Sequence, residues 1–329
     1  MKIKFLTVLV GCIVLTAILI SCVTIPLSSN PGNDLSKSAV STGNGNVSKD
    51  NSSKDDSSTP NGSGNESSEP EVSNDNSKDT TSKDTPLPVI SQSIDWSSKS
   101  AKECDDYFKN SVIVGDSVML GFKTYVGQKR SSNTDFMSTL KFHVAGSYGV
   151  HNALSAVSSK SVHPLYEGVQ TPIEDAVQKM GVERVFILFG LNDVGLYSDG
   201  SGPQQTFEKY KTLLSKIKEK SPNVEIVIIS ATYLYEDWDR QMVKLTSNHL
   251  RQLNQLMLEY CTANNIDYID VATALADGKG YLQPKYCSDE ECHLTYEAYD
   301  VWVNIFRAYA ASKLNGNYSN VKSMTSVFS

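Results

Sequence analysis

The chain of 329 residues is short of positive charge: 30 lysines and arginines stand against 37 aspartates and glutamates, for a net charge of −7. The deficit is spread unevenly. Lys2 and Lys4 give the leader +2, residues 23–90 carry 10 acidic against 5 basic residues, and residues 91–329 are left at −4. No basic stripe remains that could track a phosphate backbone, which argues against a nucleic-acid partner. Paired Cys-x-x-Cys spacings are also missing among the six cysteines, so the common structural zinc frameworks are excluded. Between Thr24 and Pro88 there is no aromatic residue and almost no pair of aliphatic ones. Such a stretch cannot bury enough apolar surface to offset the entropy of ordering it, and it is expected to be a disordered tether. With about 65 residues it would have a typical end-to-end distance of roughly 45 Å and a full reach of roughly 200 Å.

A long apolar run occurs only at the start, where Phe5 to Ile20 follow Lys2 and Lys4. The run is short for a spanning helix and closes on a small residue, so residues 1–22 read as an export signal. The closing Leu19-Ile20-Ser21-Cys22 resembles the lipobox of bacterial lipoproteins. That resemblance implies cleavage before Cys22 and attachment of lipid to its sulfur; an uncleaved membrane anchor is the other reading. Either one places the remainder outside the cytoplasmic membrane, held there by an N-terminal anchor. The expected organisation is therefore a signal over 1–22, a linker over 23–89 and one folded domain over 90–329, long enough for a substantial core. Once Cys12 leaves with the signal and Cys22 carries lipid, Cys104, Cys261, Cys287 and Cys292 remain. An oxidising location allows them three complete disulfide pairings, and free buried thiols are the alternative.

Within the domain, strand and helix patterns alternate. Helices are predicted over residues 100–109, 151–158, 203–220, 242–264 and 295–313, and strands over 111–115, 140–145, 184–189, 224–231 and 266–271. Thr171-Pro172-Ile173-Glu174 reads as a capping box opening a further helix to Met180. The runs from Arg184 to Phe189 and from Val224 to Ala231 are nearly continuous in apolar residues, as central parallel strands are. On the last helix, Tyr299, Trp302, Phe306 and Tyr309 share one face and are expected in the core. Such alternation predicts a parallel sheet with helices on both sides.

Ligands bind such sheets at the carboxyl ends of the strands, so the loops there are where chemistry is sought. After the first strand, Gly115-Asp116-Ser117 puts a serine at a helix N-terminus, where its own N–H and the helix dipole favour negative charge. After the second stands Gly146-Ser147-Tyr148-Gly149, whose glycines let backbone N–H groups approach a substrate. Gly190-Leu191-Asn192-Asp193 follows the third and offers the Asn192 carboxamide as a donor. Before the last helix comes Ser288-Asp289-Glu290-Glu291-Cys292-His293, acids followed by an imidazole. Each segment alone is ordinary turn or cap chemistry. Together, one behind each of several strands, they hold a nucleophile, a base with its acid and two kinds of oxyanion donor, which are the needs of acyl transfer.

At these four segments the chain resembles the SGNH, or GDSL-type, hydrolase superfamily over residues 111 to 313. The resemblance implies a three-layer α/β/α fold with a central five-stranded parallel sheet of flavodoxin-like type. It also implies a serine ester hydrolase that works through an acyl-enzyme without metal or organic cofactor. Carried over, Ser117 is the nucleophile and His293 the base, and the oxyanion hole is made by Ser117, Gly149 and Asn192, with Gly146 the other glycine in the second segment. The acid departs from the usual Asp-x-x-His spacing. Asp289 is four residues before His293 and Glu290 three; Asp289 fits as the common Ser-Asp form with one residue inserted, while Glu290 or a backbone carbonyl could also hold the ring. The expected substrate is an O-acetyl or other short acyl ester of a carbohydrate or cell-wall polymer, with Tyr233, Tyr235 and Trp238 as candidates to stack on sugar rings. A lysophospholipase or short-chain lipase is the competing enzyme reading, against which no long apolar lid segment is visible near the loops. A surface binding module that keeps the fold without turnover is the third.

Overall fold

Residues 95–137, 139–322 and 324 are described by the computed structural model. The expected signal, Cys22, the tether and the first residues of the expected domain lie outside the described residues. A short helix α1 (Ala101–Asp106) starts at Ser100, whose side chain accepts from the Glu103 N–H in a capping box. Strand β1 (Ser111–Gly115) is buried at every position and runs directly into helix α2 (Ser117–Ser132), with Asp116 as its cap. Next come β2 (Lys141–Val144) and the four-residue α3 (Val150–Ala153). A small antiparallel hairpin, β3 (Leu165–Tyr166) with β4 (Val169–Gln170), leads to α4 (Ile173–Met180) and β5 (Arg184–Leu188). After a 3-10 turn over Val194–Leu196 follow α5 (Gly202–Lys220), β6 (Glu225–Ile229), α6 (Glu236–Asp239) and α7 (Ser247–Ala263). The chain closes with β7 (Asp267–Ile269), α8 (Ala272–Leu275) and α9 (Tyr296–Leu314). Among the described residues no helix is long and apolar enough to cross a membrane.

The five long-range strands form one parallel sheet in the order β2-β1-β5-β6-β7, with Gly115 in register with both Val144 and Leu188. The chain therefore winds outward from β1 in one direction and then, past it, in the other. That reversal opens a crevice at the carboxyl ends of β1 and β5. Helices α1, α2 and α9 pack together on one side of the sheet, and α4, α5 and α7 on the other, as the alternation predicts.

The aromatic face of α9 does more than fill the core. Tyr299, Trp302 and Phe306 all meet the ring of Phe122 on α2. The Tyr299 hydroxyl donates to the Val118 carbonyl at 2.7 Å. Gly121 makes room for that hydroxyl, because a Cβ there would overlap it. The helix that follows His293 is thus pinned to the first turn after Ser117.

Local differences from the expected pattern have local causes. The capping box at Thr171 does not form: Pro172 takes the cap position, Thr171 Oγ1 donates to the Val169 carbonyl, and Glu174 is buried against Lys216 Nζ at 3.0 Å. Helix α7 begins at Ser247 rather than near 242, since Thr246 caps it by accepting from the His249 N–H. Helix α3 stops at Ala153, well short of 158, where the chain turns to serines that compete for backbone hydrogen bonds. The β3–β4 hairpin was not read from the sequence; Glu167 and Gly168 both take positive φ there, as a two-residue hairpin turn requires.

Candidate active site

Ser117 is the first residue of α2, at the mouth of the crevice. The strand ahead of it is packed so closely that a Cβ on Gly115 would come within 2.6 Å of Met119 and 2.9 Å of the Leu188 carbonyl. The cap is Asp116, whose Oδ1 accepts from the Val118 N–H at 2.9 Å. Its Oδ2 is buried and has no hydrogen-bond partner among the described residues. Burial first, and then the neighbouring charge of Asp193, push the Asp116 carboxyl up to about 7, against the pull of its backbone N–H bonds.

Across the crevice, His293 Nε2 lies 2.9 Å from Ser117 Oγ, and His293 Nδ1 bonds to Asp289 Oδ2. The inserted residue is absorbed by a tight turn. Glu290 adopts φ 62, and Asp289 Oδ1 accepts from the N–H groups of Glu291 at 2.9 Å, Cys292 at 3.0 Å and His293 at 3.2 Å. One oxygen of Asp289 therefore folds the loop while the other holds the imidazole. Burial raises the Asp289 pKa, but the His293 bond and the backbone N–H groups outweigh it and hold the carboxyl below its usual value. The loop is fastened at its edges: the Ser288 N–H donates to the His293 carbonyl at 2.8 Å, and the Tyr235 N–H donates to the Glu291 carbonyl at 2.8 Å.

The two donor loops follow β2 and β5, the strands that flank β1 in the sheet. Asn192 Nδ2 donates one hydrogen to the Tyr148 carbonyl at 3.3 Å, and nothing among the described residues takes its second. Gly149 has ordinary extended backbone; it is glycine because a Cβ would meet the Asp193 carboxylate at 2.6 Å. Gly146 is exposed and has open space around it. The Gly149 N–H donates to Asn152 Oδ1 at 2.9 Å, so any oxyanion has to draw it away or share it. Asp193 is buried beneath these loops. Its Oδ2 accepts from the Val150 N–H at 3.1 Å, and its Oδ1 accepts from the His151 N–H at 3.0 Å and from His151 Nδ1 at 2.7 Å. Tyr148, beside Gly149, is held by a bond from its hydroxyl to His163 Nδ1 at 3.1 Å.

Ser117, Asp289 and His293 thus lie in one line of hydrogen bonds, with Gly149 and Asn192 meeting at the Tyr148–Asp193 junction. The sequence reading missed Asp193 as the brace between those two loops, although Gly-x-Asn-Asp names it, and it missed His151 and Asn152 altogether. Asp193, the partner of His151, is 42 residues along the chain, too far for spacing to reveal, whereas Asn152 caps Gly149 only three residues back. One expectation is corrected: Tyr233 is 1% exposed, so it cannot stack on a sugar ring. It faces the core with Leu234, while Tyr235 and Trp238 are half-buried. The four cysteines among the described residues are free thiols, Cys104, Cys261 and Cys292 buried and Cys287 half-buried. A cavity of about 680 Å³ lies elsewhere, between β7 and α9, and none of the residues named at the crevice lines it.

Among solved structures, a GDSL-like lipase from Bacteroides thetaiotaomicron is similar at 16% identity, over 62% of this chain and 88% of that one, with a TM-score of 0.44. A lipase/acylhydrolase from Enterococcus faecalis is similar at 15% identity, over 65% and 99%, with a TM-score of 0.42. An acetyl xylan esterase is similar at 14% identity, over 64% and 100%, with a TM-score of 0.40. No curated protein sequence matches. The sequence model of the GDSL-like Lipase/Acylhydrolase family matches residues 113–301, from β1 through the loop of His293 into α9. The chain belongs to that family and is a carboxylic ester hydrolase of the GDSL, or SGNH, type.

Proposed function

We propose that the chain is an extracytoplasmic esterase that removes O-acetyl or other short acyl groups from a carbohydrate or cell-wall polymer. The observation that carries this reading is the 2.9 Å bond between Ser117 Oγ and His293 Nε2, with Asp289 on the far side of the ring. Asp289 can only accept, so Nδ1 carries the ring proton and Nε2 offers its lone pair to the serine. Ser117 Oγ attacks the ester carbonyl while His293 takes its proton. The N–H groups of Ser117 and Gly149 and the free Nδ2–H of Asn192 hold the resulting oxyanion. As the intermediate collapses, the bond to the alcohol oxygen breaks and His293 returns the proton to it. Water, deprotonated by the same imidazole, then releases the acid from Ser117.

Two features favour a bulky, hydrated alcohol. The His293 side chain is 43% exposed, so a polymer can reach the site without entering a tunnel. The leader pattern and Cys22 would set the enzyme on a long tether outside the membrane, where wall polymers and imported glycans are met first.

Acetate release from acetylated glycans, measured beside fatty acid release from lysophospholipid, tests the assignment. The expected result is acetate release that Ser117→Ala abolishes and Asn192→Ala lowers by roughly 10²–10³ in kcat. Fatty acid release without acetate release would contradict it.

A further inference from the structure

His151 takes no part in the relay from Ser117 to Asp289, yet it repeats half of it. Its Nδ1 lies 2.7 Å from Asp193 Oδ1, and Asp193 is already accepting from two backbone N–H groups. A carboxylate so engaged accepts, so Nδ1 carries the proton and, in the tautomer which that bond selects, Nε2 carries the lone pair. Among the described residues nothing bonds to that Nε2. Asp193 is 1% exposed whereas the His151 side chain is 28% exposed, so the acid is sealed while part of the ring reaches solvent.

The ring also borders the glycine loop that offers an oxyanion donor. The same Asp193 Oδ1 that holds it would lie 2.6 Å from a Cβ on Gly149. His151 and the Gly149 backbone therefore flank a single carboxylate oxygen, next to Asn192.

We propose that His151 Nε2 accepts a hydrogen bond from a free hydroxyl on the alcohol portion of the substrate, beside the esterified oxygen. The inference rests on the acyl-transfer reading above and narrows its substrate to esters of polyols and sugars. An acetyl group carries no hydrogen-bond donor, so a donor within reach of this ring belongs to the alcohol. An anionic group carries no proton for a lone pair to accept.

The test compares kcat/KM of the full chain for 2-hydroxyethyl acetate and ethyl acetate, which differ by that one hydroxyl. The wild type is expected to prefer the hydroxylated ester by about tenfold, the worth of one well-placed hydrogen bond. His151→Phe should erase the preference, and His151→Gln, which can still offer an oxygen acceptor, should restore part of it. Equal use of the two esters by the wild type overturns the proposal and leaves ester hydrolysis standing. Equal proportional losses on both esters in His151→Phe overturn it too, since they would mean that the ring only props the loop. A wild type that prefers the hydroxylated ester but releases no acetate from acetylated glycans supports the role of His151 and overturns the glycan assignment. Absence of turnover with either ester overturns both.

Discussion

Two histidines in this chain are each gripped at Nδ1 by an aspartate, and the two pairs are built in opposite ways. His293 and Asp289 share one exposed loop, and the free nitrogen of the ring meets Ser117. His151 and Asp193 come from different strand ends, the carboxylate is sealed beneath the loops, and the free nitrogen meets nothing among the described residues. Asp289 spends its second oxygen folding the turn that carries its own histidine, while Asp193 spends its second joining the loops after β2 and β5. The same pair of residue types thus lines up behind a serine in one place and, in the other, joins two loops with its outer nitrogen left unengaged among the described residues. What separates them is which partner stands at Nε2 and how deeply the acid is buried.

The sharpest way to break this comparison is to remove each ring. His293→Ala should lower kcat on p-nitrophenyl acetate by several orders of magnitude, roughly 10⁴–10⁶, whereas His151→Ala should cost no more than about twofold, because that ester offers the ring no neighbouring hydroxyl. Losses of similar size would erase the distinction. Next come the acids. Asp289→Asn should lower kcat by roughly 10⁴ with little change in melting temperature, because it disturbs the ring's proton more than the fold. Asp193→Ala strands two buried N–H groups, and thermal unfolding should show a loss of about 2–4 kcal/mol.

Asp116 sharpens the contrast as a buried acid with no histidine. Its carboxyl titrates at about 7 in the folded chain against 3.8 in the reference state. The folded state keeps this proton over a range where the unfolded chain has lost it. The stability it contributes is therefore full below about pH 4 and is lost as pH rises through 7. Asp116→Asn retains the cap oxygen, so its melting temperature should lack that decline when both proteins are followed from pH 4 to 8. The smallest effect concerns Asn152. Asn152→Ala vacates the Gly149 N–H, and kcat/KM for p-nitrophenyl acetate should rise by at most about fivefold, the scale of one net hydrogen bond.

The same contrast explains what could be read from the residues alone. Asp289 and His293 were visible because both lie in one short loop, and Ser117 because a strand running into Gly-Asp-Ser is a local pattern. The five strands and the aromatic face of α9 were visible for the same reason: their periodicity is written within a single element. The Asp193–His151 pair joins residues 42 apart, and only the β2-β1-β5 strand order brings them together. Tyr233 looked like a sugar platform because no pattern in its own loop says which way the ring turns. The start of α7 depended on Thr246, one cap among several serines, threonines and asparagines nearby.

The most direct test of the relay is to trap it. The full chain treated with a fluorophosphonate ester should gain one covalent adduct, located by peptide mass spectrometry on Ser117 and lost in Ser117→Ala, with labelling slowed at least a hundredfold in His293→Ala. An adduct on another residue, or labelling of Ser117 at an undiminished rate without His293, would contradict the account.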